Sequence, residues 1–162
     1  MDWRKISIER LKDYENRKAA LLSIPEQLET LELEFTSIRA ATTDGQEIKG
    51  GGGSKREDSL INNIVKRDEL KRNLKIVKNE VAVTERGLKG LSADEEKILN
   101  KFYINRVHGH VELLCEELNF EKSRVYAIKE DALKKFTLAC YGIIELWEWK
   151  KSGRILRNYV IL

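Results

Sequence analysis

Hydrophobic side chains recur along this chain at steps of three and four, the period of amphipathic helices. From about Ile6 to Leu22, the residues Ile8, Leu11, Tyr14 and Leu21 or Leu22 share one side of a helix. Ser23-Ile24-Pro25-Glu26 then predicts a break and a restart, because proline fits the first helical position, where its missing N–H would be unpaired anyway. The second helix carries Ile24, Leu28, Leu31, Phe35 and Ile38, alternating four and three. That is a coiled-coil seam, although too short to stand alone. Residues 1–41 therefore form an N-terminal helical pair.

Residues 42–53 end in a run of glycines and predict a flexible loop. Ser54 and Glu57 have capping-box spacing and open the longest helix, which fills the connecting segment 54–90. Leu70, Leu74, Val77, Val81, Thr84 and Leu88 step by four and three in heptad fashion, and backwards the same seam meets Arg67, Asn63 and Leu60. A polar interruption of that kind fixes register or partner choice at some cost in stability. The seam has two candidate destinations. One is an intramolecular three-helix arrangement with the N-terminal helices, which is the expectation for at least part of its length; the other is a second copy of the chain.

Residues 91–142 read as three further helices. Ser92 and Glu95 form a capping box before Ile98, Leu99, Phe102 and Tyr103. A second helix carries Val111, Leu114 and Leu118 on one face, and a third carries Val125, Ile128, Ala132, Leu133 and Phe136. The last two have helix-turn-helix spacing across Leu118-Asn119-Phe120-Glu121. Such a turn needs a residue with positive φ, and Asn119 is the least costly choice other than glycine. Phe120 is placed to plug the angle between the helices. The start of the final helix is where a helix-turn-helix reaches base edges and phosphates, and it holds Lys122, Ser123 and Arg124, with Tyr126, Ala127 and Lys129 following. A plainer reading also fits: three short amphipathic helices suit any small core, and a Lys/Arg pair at a helix start is commonly a solvated face.

In the tail, 143–162, Trp147 and Trp149 flank Glu148 and cannot share a helical face. Ile155 to Leu162 is apolar and is expected to dock rather than to act. Across 162 residues the chain is 41% hydrophobic and 35% charged with a single proline, which suits a helix-rich protein with a modest core. Its formal net charge of +3 is weakly basic, so a nucleic-acid site must come from local clustering. No apolar run approaches the length of a membrane span, and MDWRKISIER does not read as a signal peptide. Cys115 and Cys140 lie on apolar faces and are expected as free thiols in a reducing compartment.

Other chemistries find little footing. His108, His110 and Cys115 lack the fourth convergent ligand and the paired spacing of structural zinc. The carboxylate pairs Glu95-Glu96, Glu116-Glu117 and Glu130-Asp131 are adjacent in sequence, so each pair diverges on a helix. The glycine run lacks the GK[ST] ending of a phosphate-cradling loop. No nucleophile, base and orienting group come together. The expectation is no enzyme, no catalytic residues, no metal and no cofactor.

The helix Val125-x-x-Ile128-x-x-x-Ala132-Leu133-x-x-Phe136 resembles the closing helix of sigma-70 region 4, in which the helix after the turn reads the major groove of a promoter element. GGGSKREDSLINNI, RGLKGLSADEEKILNKFYI and GHVELLCEELNFEKSRVYAIKEDALKKF, in that order, resemble phage- and prophage-encoded regulators of late-gene transcription, the RinA and ArpU types. The resemblance covers a little over half of the chain, and the N-terminal helices loosely. One departure is Glu121, which stands where Ser or Thr usually caps the recognition helix. The first ninety residues lack the acidic-aromatic pattern with which a complete sigma factor grips polymerase and melts DNA, so duplex binding without melting is implied.

The expected fold is all-α: an N-terminal helical, coiled-coil-like bundle followed by a sigma-70 region 4-like helix-turn-helix in 91–142. The resemblance implies a sequence-specific double-stranded DNA-binding transcriptional regulator, an activator of phage late genes rather than a repressor, in the host bacterial cytoplasm at the nucleoid. Lys122, Ser123, Arg124, Ala127 and Lys129 would face the major groove, with Arg106, His108 and His110 near backbone phosphates and Tyr126 a further DNA-binding candidate. Further partners are host RNA polymerase and a second copy in a homodimer. The alternatives are a packaging-recognition protein like a phage terminase small subunit, which forms rings, and a protein-interaction module facing polymerase.

Overall fold

The computed structural model describes residues 2–43 and 53–142, with side chains for 2–40 and 55–142. Among these residues every regular element is helical: α1 Trp3–Lys12, α2 Tyr14–Thr43, α3 Gly53–Lys89, α4 Ala93–Leu99 with a π-helical turn Asn100–Ile104, α5 His110–Leu118 and α6 Lys122–Tyr141. The protein is all-α. None of these helices is long and apolar enough to cross a membrane. The glycine-rich run, the Ser54 side chain of the expected capping box, Trp147, Trp149 and the apolar tail lie outside the described residues.

Contacts divide the chain into two compact units, Met1–Glu15 with Ala82–Leu162, and Asn16–Val81. The second unit is an antiparallel helix hairpin. The buried and half-buried positions of α2 include Ile24, Leu28, Leu31, Phe35 and Ile38, and those of α3 include Leu60, Asn63, Arg67, Leu70, Leu74, Val77 and Val81. These are the two heptad stripes read from the sequence. Polar groups tie them. Asn63 Nδ2 donates to Leu31 O at 2.9 Å, and Arg67 bonds Glu32 at 2.7 Å. Arg17 bonds Glu80 at 2.9 Å. Asn63 Oδ1 and Arg67 Nε are buried without a hydrogen-bond partner, so the seam carries the polar interruption at the cost expected of one.

Two expectations are corrected here. The N-terminal break falls at Asp13, not at Ser23–Pro25, and Pro25 lies inside α2. Proline there forfeits one backbone hydrogen bond. An unbroken rod, however, keeps Ile24 in phase with Leu28 and Leu31 on a single stripe. The three-helix arrangement is also replaced. In the hairpin α2 is tied to α3, whereas α1 packs on α6 and on the π turn.

In the first unit α6 is the spine. Toward its start, Val125 joins Ile98 and Leu114, with Phe102, Cys115, Leu118, Phe120 and Ile128 against them. Farther along, Ala132, Leu133 and Phe136 join Leu11 of α1, Leu88 of α3 and Leu99 of α4. Neighbouring Ile98 and Leu99 thus feed two different clusters. Ser7 and Thr137 are buried with their hydroxyls 2.8 Å apart. Because the Thr137 hydroxyl donates to Leu133 O, Ser7 is the donor between the two. Gly87 lets α3 approach α6: a Cβ there would stand 2.7 Å from the Phe136 ring and 2.6 Å from Cys140 Sγ.

Candidate nucleic-acid interface

The turn between α5 and α6 is built from its residues upward. Asn119 closes α5 in the left-handed region at φ 53°, and it is the one non-glycine with positive φ among the described residues. An asparagine tolerates this conformation better than other side chains that carry a Cβ. The Phe120 N–H donates back to Cys115 O at 3.2 Å, and the ring packs into the Ile98–Leu114–Val125 cluster. Glu121 then takes the extended conformation of an N-cap but makes no side-chain cap bond. The first amides of α6 are therefore left without a side-chain acceptor, a feature that favours an approaching anion.

α4 is held against α5 by charge. Lys97 lies 2.8 Å from Glu117, and Lys101 pairs with the same carboxylate. These bonds hold the Glu117 carboxyl below its ordinary range. Ser92 and Glu95 form the expected capping box at the start of α4. Glu95 also accepts from Lys135 of α6 at 2.6 Å. Burial alone would raise the Glu95 carboxyl, but the Lys135 and Ser92 hydrogen bonds bring it below the ordinary value.

The structure places the residues singled out from the sequence as follows. Lys122, Ser123, Arg124, Tyr126 and Ala127 are exposed on the first turns of α6. Arg124 lies over the Phe120 ring at 4.7 Å, a cation–π contact that steadies the guanidinium beside the turn. Asn119, Phe120, Glu121, Ser123, Arg124 and Ala127 line an open cleft of about 720 Å³. Lys122 reaches back to Glu112 of α5 at 2.7 Å, which holds that carboxyl down and pushes the ammonium up. Both groups are well exposed, so the pair is readily exchanged for another partner.

Arg106 and His108 are exposed in the segment between the π turn and α5. His110 opens α5 with Nδ1 3.1 Å from Val107 O and its ring edge-on to Phe102. Among the described residues no group of His, Cys, Asp and Glu converges in a way that could hold a metal ion.

Lys129 departs from expectation. Its side chain is only 13% exposed, with Nζ 2.9 Å from Glu130 and lying over the rings of Phe102 and Tyr126. It is turned back from the major-groove position the sequence suggested. Its neighbour Glu130 also pairs with Arg4 of α1 at 2.8 Å. Burial would raise the Glu130 carboxyl, and these two cations bring it below its ordinary range. What Lys129 does instead is brace Tyr126, whose ring meets Phe102 edge-on at 5.7 Å. The i, i+3 spacing of Tyr126 and Lys129 was the available signal for that contact.

Residues 91–142 contain eight Lys/Arg against nine Asp/Glu, so this segment has no bulk basicity. Among its described cations, six are ion-paired, and Arg106 and Arg124 have no carboxylate partner. Compared with family models, curated proteins and solved structures, the chain finds no match.

Proposed function

We propose that the chain is a sequence-specific double-stranded DNA-binding regulator of transcription, with the start of α6 entering the major groove. The observation that carries this reading is the placement of Arg124. It has no carboxylate partner, is exposed at the third position of the helix after a left-handed turn, and is steadied on the Phe120 ring. Arginine so presented can donate two parallel hydrogen bonds to guanine O6 and N7. Ser123, Tyr126 and Ala127 share the exposed start of the helix. Arg106, together with Lys122 once released from Glu112, serves the phosphates. Activation of phage late genes is the role the sequence resemblance suggests, and it is proposed on that ground alone.

Because the segment carries no excess of positive charge, nonspecific affinity should be weak and its salt dependence shallow. About two or three phosphate contacts at a slope near −0.9 each are expected. The deciding experiment selects duplex fragments from a random pool with the purified chain, then compares Arg124→Ala on the selected and on random DNA. A loss of roughly 1–3 kcal/mol on the selected site with little change on random DNA is expected. Equal losses on both would reduce Arg124 to a phosphate contact. A pool that never enriches would remove the reading.

A further inference from the structure

On a helix the side opposite the buried seam should be polar. On α3 it is not. Ile61, Ile64 and Val65 are 57%, 45% and 48% exposed, at i, i+3 and i+4, on the face that looks away from Asn63, Arg67 and Leu70. A single exposed aliphatic side chain needs no explanation, but three at i, i+3 and i+4 on one turn form a patch. All three are β-branched, the class that lowers helix propensity through lost χ1 freedom. On a solvated face they weaken the helix and gain nothing, unless something covers them.

What covers them is indicated by the charges along the same face. At 100° per residue, this face reads Glu57, Ile61, Ile64, Val65, Asp68, Arg72, Lys75. All seven are exposed. Glu57 lies before the apolar patch; Asp68 follows it directly, and the bases Arg72 and Lys75 come after. Turned end for end, the acidic start of the stripe faces its basic end, with Ile64 and Val65 at the centre and Asp68 beside Ile61 of the other copy. With a two-fold axis between Ile64 and Val65, Glu57 of one copy meets Arg72 of the other, and the pair occurs twice. A parallel, in-register pairing would instead set Glu57, Asp68 and Arg72 each against its own like, which is disfavoured. A foreign partner would have no reason to require this internal symmetry; an isologous contact does.

We infer that the outward face of α3 around Ile61, Ile64 and Val65 is a homodimer surface on which a second copy of this chain packs antiparallel, registered by two Glu57–Arg72 pairs. From Glu57 to Arg72 the contact spans roughly 23 Å of helix. That is small beside a permanent interface, so dissociation in the micromolar range follows. The inference does not depend on DNA binding.

Sedimentation velocity of the full chain from about 1 to 100 µM tests it. A monomer–dimer equilibrium is expected, and Ile64→Asp should weaken it at least about tenfold. Helix content by circular dichroism should be unchanged, because Ile64 faces solvent in a single copy. Glu57→Arg and Arg72→Glu should each weaken the dimer, and the two together in one chain should restore it. Neither touches the seam, so this exchange decides the matter even if Ile64→Asp unfolds. A wild-type chain that stays monomeric across the range overturns the inference. So does a dimer indifferent to Ile64→Asp in a folded chain, or a charge exchange that fails to restore association.

Discussion

The two compact units spend their hydrophobic residues differently. In the first, Leu11, Ile98, Leu99, Leu114, Val125, Ala132, Leu133 and Phe136 are all at 0% exposure. In the hairpin the most enclosed hydrophobic positions are Ile24 at 7% and Val81 at 5%, and Leu22, Leu33, Ile61, Ile64, Val65 and Ile76 are exposed. The reason is geometric. Two helices can cover only the facing stripe of each other, whereas α6 is surrounded by α1, α4, α5 and the end of α3. Regular heptad spacing therefore marks the less enclosed unit, and the short, irregular helices build the tighter core.

Breaking the first core should give the largest effect. Phe136→Ala is expected to lose about 3–5 kcal/mol in denaturant unfolding, because the fully buried ring joins α1, α3, α4 and α6. A loss under about 1 kcal/mol would mean that the cluster relaxes around the cavity, and the contrast between the units would fail.

Gly87→Ala comes next. Methyl substitution in a helix normally helps, but here the new carbon would sit 2.7 Å from the Phe136 ring. A net destabilisation of about 1–3 kcal/mol is expected from overpacking. Stabilisation would show that α3 and α6 are less closely packed at this point.

At the capping box, Ser92→Ala should cost about 1 kcal/mol. Glu95 adds a pH signature. Its carboxyl is depressed below the ordinary 4.5 in the folded chain, so it binds protons less readily folded than unfolded. Its contribution is present above about 4.5 and disappears as pH falls through the lower folded value. Glu95→Gln should therefore flatten the acid limb of stability against pH, and an unchanged limb would assign acid sensitivity elsewhere.

The smallest effect belongs to the hairpin. Asn63→Leu removes a buried, half-satisfied amide together with its hydrogen bond to Leu31 O. The expected change lies between neutral and a gain of about 1 kcal/mol, with looser specification of register. Hydrogen exchange of α2 amides would read both. A clear loss would make the polar contact a net stabiliser and the hairpin more tightly specified than its burial suggests.

Much of this architecture was legible because its causes are local. The stripe Ile24–Leu28–Leu31–Phe35–Ile38 and the matching run on α3 follow from helical period alone. The capping box at Ser92 and the left-handed Asn119 follow from what one side chain or one φ angle requires. Three other features depend on residues far apart in the chain. Pro25 reads as a helix start, yet the continuity of the seam overrides it. α1 reads as part of an N-terminal pair, yet Leu11 and Ser7 find their partners on α6. Nothing near Gly87 in the sequence marks it, yet it makes room for Phe136.

The candidate interface divides along the same line. By itself the sequence determined that Lys122, Ser123 and Arg124 would open a helix after a tight turn, because spacing and the φ preference of asparagine are properties of neighbours. Only the tertiary structure decided which cations remain without a carboxylate. Lys129 is drawn back to Glu130 between two rings, Lys122 to Glu112, and Lys97 and Lys101 to Glu117. Arg124 and Arg106 are left over. The physical reason is that ion pairing depends on which helices are brought within about 4 Å of one another, and linear order does not encode that distance.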